Sequence, residues 1–149
     1  MKKGVVSLAM IMTVGLTMLC SRVSFAASGS WTGASNTLWA NDANWSAAPY
    51  PSGADTATFN GPGNGNTVID LSGLGSITAV LFDSTALAIY TLGSGGPKAQ
   101  NLLLNTGGQI QLGATSWNGQ RIDANIQLGA DIGGGTYTLR NDNPYQTLL

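Results

Sequence analysis

Short segments of alternating apolar and polar residues run along the chain from about residue 66 to its end. Alternation with a period of two places one side chain in a core and the next in water, as in a half-buried β-strand. Beyond the first 26 residues, no stretch long enough for a helix has helical periodicity. The sequence therefore predicts an all-β protein, with strands at 67–71, 77–82, 88–92, 101–104, 109–112, 121–128 and 136–139.

Short strands at regular intervals fit a β-sandwich, a barrel or a β-solenoid. The polar positions of the predicted strands hold Thr, Asn, Gln and Asp rather than Lys and Glu. The uncharged members of this set, Thr, Asn and Gln, stack well between successive coils. The apolar positions hold Leu, Ile and Val, and the turns are rich in Gly and uneven in length. These features favour a parallel β-helix of about three to four rungs, with a β-sandwich as the alternative.

The segment 27–65 differs from the rest because it contains three of the four tryptophans, Trp31, Trp39 and Trp45. A helical turn is predicted just before the third, with Asn41 or Asp42 as its N-cap. The first coil of a solenoid exposes its core and its strand edges, so something must cover it. We therefore expect 27–65 to form an aromatic N-terminal cap with the first strands, and 66–149 to form the solenoid rungs.

The first 26 residues have the three parts of a secretory signal peptide. Two lysines follow Met1, an apolar stretch extends to Cys20, and small residues precede a cleavage point between Ala26 and Ala27. The apolar stretch is shorter than the ~20 residues that a membrane-spanning helix needs. The sequence therefore predicts export and cleavage, and it predicts no membrane span in the mature chain.

The composition of residues 27–149 excludes several kinds of chemistry. This stretch contains no His, Cys, Met or Glu, which removes histidine-based nucleophile pairs, thiolate and histidine metal ligands, and disulfides. Its three cations stand against seven Asp, whereas nucleic-acid binding needs a basic patch. We predict no catalytic residue, no metal site and no cofactor, and nucleic acid is excluded as a partner.

Several spaced aromatic, proline and acidic positions occur together near the start of the mature chain. They are Trp31, Trp39, Trp45, Pro51, Asp55 and Phe59. Over roughly 28–112 the chain resembles the opening of the autotransporter-associated β-strand repeat proteins, which are large bacterial surface or secreted chains. The resemblance implies a right-handed parallel β-helix, a passenger exposed at the cell surface, and no catalytic residues. Such proteins are usually much longer, so we expect this chain to be truncated at its C-terminus.

Aspartate is a candidate catalytic residue because paired carboxylates hydrolyse glycosidic bonds. The seven Asp residues are scattered, and stacking of successive coils is the arrangement that would bring Asp70 and Asp83 together. Solvation of turns and strand ends explains these residues better. A polysaccharide-degrading enzyme is therefore the third and weakest hypothesis for function.

Tryptophan faces stack on sugar rings, but tryptophan side chains also dominate small cores. Burial in the cap is the preferred interpretation for Trp31, Trp39 and Trp45. Trp117 lies in the predicted loop Ser116-Trp117-Asn118-Gly119 and is the better candidate for exposure and ligand stacking. A carbohydrate-binding module that uses this residue is therefore the alternative function.

The first hypothesis is a non-catalytic structural and adhesive β-repeat passenger, exported and displayed at, or released from, the bacterial cell surface. Its expected partners are host or surface glycans, or other cell-surface components. An open last rung leaves unpaired strand edges, so self-association is also expected there.

Overall fold

The computed structural model describes residues 27–129 and 135–149. The predicted signal peptide lies outside the described residues, and Ala27 is the first of them. Across the described ranges, no helix is both long enough and apolar enough to cross a membrane. The strands are β1 (Gly29–Ser30), β2 (Thr56–Phe59), β3 (Val68–Ile69), β4 (Ile77–Phe82), β5 (Thr91–Leu92), β6 (Asn101–Leu112), β7 (Arg121–Ile122), β8 (Asn125–Leu128) and β9 (Thr138–Asn141).

All pairs of neighbouring strands are parallel. One sheet has six strands, in which β1, β2, β4 and β6 follow one another and β6 pairs with both β8 and β9. The other sheet has three strands in the order β3, β5, β7. Parallel neighbours that come from successive passes of the chain define a β-solenoid of about 4 turns rather than a β-sandwich. The predicted all-β solenoid is confirmed.

Aliphatic side chains in register between successive coils form much of the core. In the six-stranded sheet Ala57 pairs with Val80, Val80 with Ile110, and Ile110 with Leu139. The first three of these residues are fully buried. In the three-stranded sheet Ile69 pairs with Leu92, and both side chains are also fully buried. The core therefore lies between the two sheets, and each apolar position stacks on its counterpart in the next coil.

An aromatic cluster fills the core of the first coils. Trp39 and Trp45 have ring centroids 4.9 Å apart, and Trp31 and Trp45 are 5.1 Å apart. Phe59 packs against all three indoles. The indole N–H of Trp39 donates to the backbone oxygen of Pro51 at 2.8 Å, which satisfies its polar edge inside the core. The predicted burial of these three tryptophans is confirmed.

The predicted helical turn before the third tryptophan is present as a 3-10 helix, Asp42–Asn44. Its N-cap is Asn41, whose side-chain oxygen accepts from the N–H of Ala43 at 3.2 Å. The fully buried Asn44 side chain accepts hydrogen bonds from two consecutive backbone N–H groups of the preceding loop, at 2.9 and 3.0 Å. One short polar segment therefore fixes the path of the chain around the tryptophans.

The prediction of a single strand over 121–128 is wrong, because this stretch forms two strands, β7 and β8, in different sheets. The chain turns a corner at Asp123 and Ala124, whose N–H groups both donate to the backbone oxygen of Leu92, at 2.8 and 3.1 Å. A corner of two residues preserves the alternation of apolar and polar positions. Periodicity alone therefore could not reveal it.

The predicted strands 101–104 and 109–112 join into one strand, β6. Its first half pairs with β8 and its second half with β9. Between the halves the backbone is irregular, and Gly107 adopts φ 76°, which a glycine tolerates without the steric cost of a side chain.

The last described coil exposes more apolar surface than the coils before it. All residues of β8 and β9 are exposed, including Leu128 at 54% and Leu139 at 63%. Their register partners in β6, Leu104 and Ile110, are fully buried. Among the described strands, β8 and β9 each pair with β6 on one side and with no strand on the other. This explains why their apolar side chains are more exposed than those of β6.

Candidate functional site

A hollow lies between the loops 113–118 and 142–147, at a corner of the last coils. It has a volume of about 390 Å³ and contains the two most exposed large aromatic side chains of the described chain. These are Trp117, 71% exposed, and Tyr145, 89% exposed. The residues that line this aromatic hollow are Ala114, Ser116, Trp117, Asn143, Tyr145 and Gln146.

The first loop is attached to the end of strand β4 in the preceding coil. The buried Ser116 hydroxyl donates to the backbone oxygen of Phe82 at 3.0 Å. The Thr115 hydroxyl donates to a carboxylate oxygen of Asp83 at 2.7 Å. Two consecutive side chains therefore point back along the solenoid and hold the loop, while the next residue, Trp117, points into solvent.

A buried glutamine fixes the chain on the other side of Trp117. Gln120 is 1% exposed, and its side-chain oxygen accepts from the N–H of Tyr90 at 2.8 Å. Its amide donates to the backbone oxygens of Ala88 at 3.1 Å and Asn118 at 2.9 Å. The backbone that carries the exposed indole is thus tied to the previous coil at both ends of the loop.

Asn143 joins the two loops of the aromatic hollow. Its buried side-chain amide donates to the backbone oxygens of Ala114, at 3.2 Å, and Ser116. Its side-chain oxygen accepts from the N–H of Tyr145 at 2.8 Å. Asn143 therefore positions Tyr145 next to the Trp117 loop, and its own hydrogen-bonding capacity is largely used inside the protein.

The lining of the aromatic hollow is uncharged, and the charges nearby in sequence are paired. Arg140 donates to a carboxylate oxygen of Asp142, and this hydrogen bond is the main reason that the pKa of Asp142 lies below its ordinary value. Gln111 also donates to the same carboxylate, at 2.7 Å. Asp83 is engaged by Thr115. The arrangement provides aromatic faces and amide groups for an uncharged ligand.

The structure confirms the predicted exposure of Trp117 but does not form a carboxylate pair from Asp70 and Asp83. Asp70 follows β3 in the three-stranded sheet, whereas Asp83 follows β4 in the six-stranded sheet. Asp70 accepts from the Ser72 N–H at 2.9 Å and from the Gln100 amide. These hydrogen bonds, the Ser72 N–H first, lower the pKa of Asp70. Within 27–129 and 135–149, no cluster of metal-ligating side chains is found.

Trp117 is predicted from the sequence, whereas Tyr145 and Asn143 are not. The signal that could have found them is the coil repeat. Gln120 and Leu148 are bridge partners in successive coils, and Leu112 pairs with Asn141, so the loops between these positions lie next to each other. Without the register of the coils, two loops so far apart in sequence cannot be aligned.

Comparison of the chain with protein-family models, curated proteins and solved structures finds no significant match. The fold and the site therefore define the class: a parallel β-solenoid that carries an uncharged aromatic hollow at one corner.

Proposed function

We propose that the protein is an exported, non-catalytic β-solenoid with a structural and adhesive role at, or released from, the bacterial cell surface. The observation that carries this proposal is the exposure of Trp117 and Tyr145 on loops that buried side chains hold in place. Exposed aromatic residues on a fixed support are typical of a surface that binds a partner.

Hydrogen bonds between coils support the structural part of the proposal. Side-chain amides donate hydrogen bonds from one coil to the next, in addition to the backbone pairing of the strands. Asn125 donates to Asn101 at 3.1 Å, and Asn105 donates to Thr78 at 3.3 Å. Such contacts resist separation of the coils, as a rod that bears load at a surface requires.

The aspartates support a non-catalytic role because each described carboxylate already has a structural partner. Each accepts at least one hydrogen bond from a turn, from the adjacent arginine or from a neighbouring coil. These residues are Asp42, Asp55, Asp70, Asp83, Asp123 and Asp142. A glycosidase instead needs two carboxylates that face one substrate across a fixed gap.

The export part of the proposal rests on the sequence of residues 1–26 and on the resemblance to autotransporter-associated β-strand repeat proteins. It is tested by expressing the full chain in a bacterial host and determining the mass of the extracellular or surface-released product. The expected product begins at Ala27. A full-length chain that stays inside the cell would contradict export.

The adhesive part is tested by measuring retention of the same exported product on bacterial and host-cell layers under flow. Replacing Trp117→Ala removes one aromatic contact, and we expect retention to fall about tenfold, which corresponds to about 1.4 kcal/mol. Val68→Ala is the matched control, because Val68 is an exposed apolar residue on β3, and β5 separates that strand from β7 in the three-stranded sheet. Equal retention of the two variants would contradict a role for the hollow. Release of soluble sugars from cell-wall polysaccharide would contradict the non-catalytic assignment.

The second candidate function is a carbohydrate-binding module. The specific observation in its favour is that Trp117 and Tyr145 line one hollow together with uncharged amide side chains. A carbohydrate-binding module binds a free oligosaccharide, whereas an adhesive solenoid need only bind a partner on a cell surface.

A further inference from the structure

We propose that the aromatic hollow is a binding site for a neutral pyranose sugar, whose ring stacks on the indole of Trp117 with Tyr145 beside it. This inference rests on the proposed adhesive function and deepens it, because it names the ligand class of the same site. Three features of the hollow support the inference: its aromatic rings, its polar groups and the absence of charged side chains from its lining.

The two aromatic rings provide the stacking surface. The C–H groups on one face of a pyranose carry partial positive charge, and the face of an indole or phenol ring carries partial negative charge. Trp117 and Tyr145 are both exposed, and the aromatic contacts found in the described chain all belong to the buried cluster around Phe59. Both rings are therefore available to a ligand.

The polar groups of the hollow match sugar hydroxyls. Gln146 lines the hollow and is half-buried, and an amide side chain both donates and accepts hydrogen bonds as a hydroxyl requires. Asn143 is different, because its amide and its carbonyl oxygen are already bonded to the two loops. We therefore assign Gln146 to ligand contact and Asn143 to positioning.

The charge distribution selects a neutral sugar over an acidic one. None of the lining residues is charged. Arg140 is the cation nearest to the hollow in sequence, and it already donates to Asp142. A uronic or sulfated sugar needs a cation that is free to pair with its carboxylate or sulfate.

The size and rigidity of the hollow also fit a small ligand. Its volume of about 390 Å³ lies within the range of small-molecule sites. The loops are held by Ser116, Gln120 and Asn143 before any ligand binds, so little ordering entropy is lost on binding. The site is open at the surface, which suits the end or the flank of a longer glycan.

The test uses the full chain and short neutral oligosaccharides from cellulose, xylan, mannan and chitin, with oligogalacturonate as the acidic probe. Three of the four tryptophans are buried, so a saturable change in fluorescence reports Trp117. Calorimetry then compares the wild type with Trp117→Ala, Tyr145→Ala and the control Val68→Ala. We expect at least one neutral oligosaccharide to bind, with affinity lowered about tenfold or more by Trp117→Ala, several-fold by Tyr145→Ala and not by Val68→Ala.

The inference is overturned if no neutral oligosaccharide binds, if Trp117→Ala binds as the wild type does, or if oligogalacturonate binds more tightly and in a salt-dependent way. Circular dichroism of each variant verifies that it is folded. The two proposals fail in different ways. Retention on cells that depends on Trp117 without any binding of neutral sugars removes the sugar ligand and leaves the adhesive function in place.

Discussion

Tyr90 is a single residue that connects the aromatic cluster to the turns between coils. Its ring packs on Phe59 with centroids 4.9 Å apart, and its hydroxyl donates to the backbone oxygen of Gly61 at 2.9 Å. Gly63 lies against it with φ +62°, and a Cβ there would come within 2.5 Å of the tyrosine oxygen. The side chain is fully buried, and burial raises the pKa of Tyr90 to about 12.

This pKa predicts a loss of stability at high pH. The folded-state pKa lies above the ordinary value of 10.0, so the stabilisation from the neutral phenol is fully present below pH 10. It is lost as the pH rises toward 12, at up to about 1.4 kcal/mol per pH unit. Urea unfolding across this range measures the slope.

Tyr90→Phe removes the ionisable group, and we expect its free energy of unfolding to fall less steeply with pH than that of the wild type. Tyr145→Phe is the matched control, because it makes the same change at an exposed side chain. The same steep slope in Tyr90→Phe would show that another group is responsible.

At the scale of the elements, buried or half-buried glutamines connect one coil with the next. The side-chain oxygen of Gln100 accepts from the N–H groups of Leu71, at 3.0 Å, and Ser94, at 2.8 Å. Its amide donates to Asp70 and to the hydroxyl of Ser72. One side chain thus satisfies two backbone donors at corners of neighbouring coils.

Gln100→Ala leaves these two N–H groups without their partner, so we expect a loss of about 1–3 kcal/mol in the free energy of unfolding. Chemical denaturation measures it. The control is Gln127→Ala in β8, where the side chain is exposed and the expected change is within about 0.5 kcal/mol. Equal effects of the two substitutions would mean that the Gln100 contacts do not stabilise the corner.

The strands and the loops differ in how well the sequence alone predicts them. Strand β4 occupies the predicted range 77–82, because alternating apolar residues bounded by Gly-rich turns leave one interpretation. The corner inside 121–128 was missed, since the alternation continues through it. The exposure of Trp117 was predicted from its polar, glycine-containing loop. Tyr145 and Asn143 lie at the site only because successive coils stack, so they were not predicted. Long-range register is the physical information that one sequence does not carry.

At the scale of the whole molecule, one principle accounts for the fold: each coil covers the apolar edge of the coil before it. The aromatic cluster lies in the first coils, and Leu128 and Leu139 are exposed in the last described one. Self-association through this surface stays a prediction. The hollow depends on the same principle, because the loops that carry Trp117 and Tyr145 come from successive coils.

The fold therefore depends on whether neighbouring coils stack in parallel, and disulfide cross-linking tests this directly. In the parallel register Thr58 is opposite Leu81, whereas Thr56 is opposite Ala79. Facing positions in adjacent strands are close enough for a disulfide, and a displacement by two residues is too far. Two double-cysteine variants, prepared with Cys20→Ser, distinguish the arrangements: Thr58→Cys with Leu81→Cys, and Thr56→Cys with Leu81→Cys.

We measure disulfide formation in the folded chain by mass spectrometry under mild oxidation. The parallel register predicts that the 58–81 pair forms the disulfide readily and that the 56–81 pair does not. Efficient cross-linking of the 56–81 pair with little at 58–81 would indicate antiparallel pairing of β2 with β4, and would contradict the solenoid.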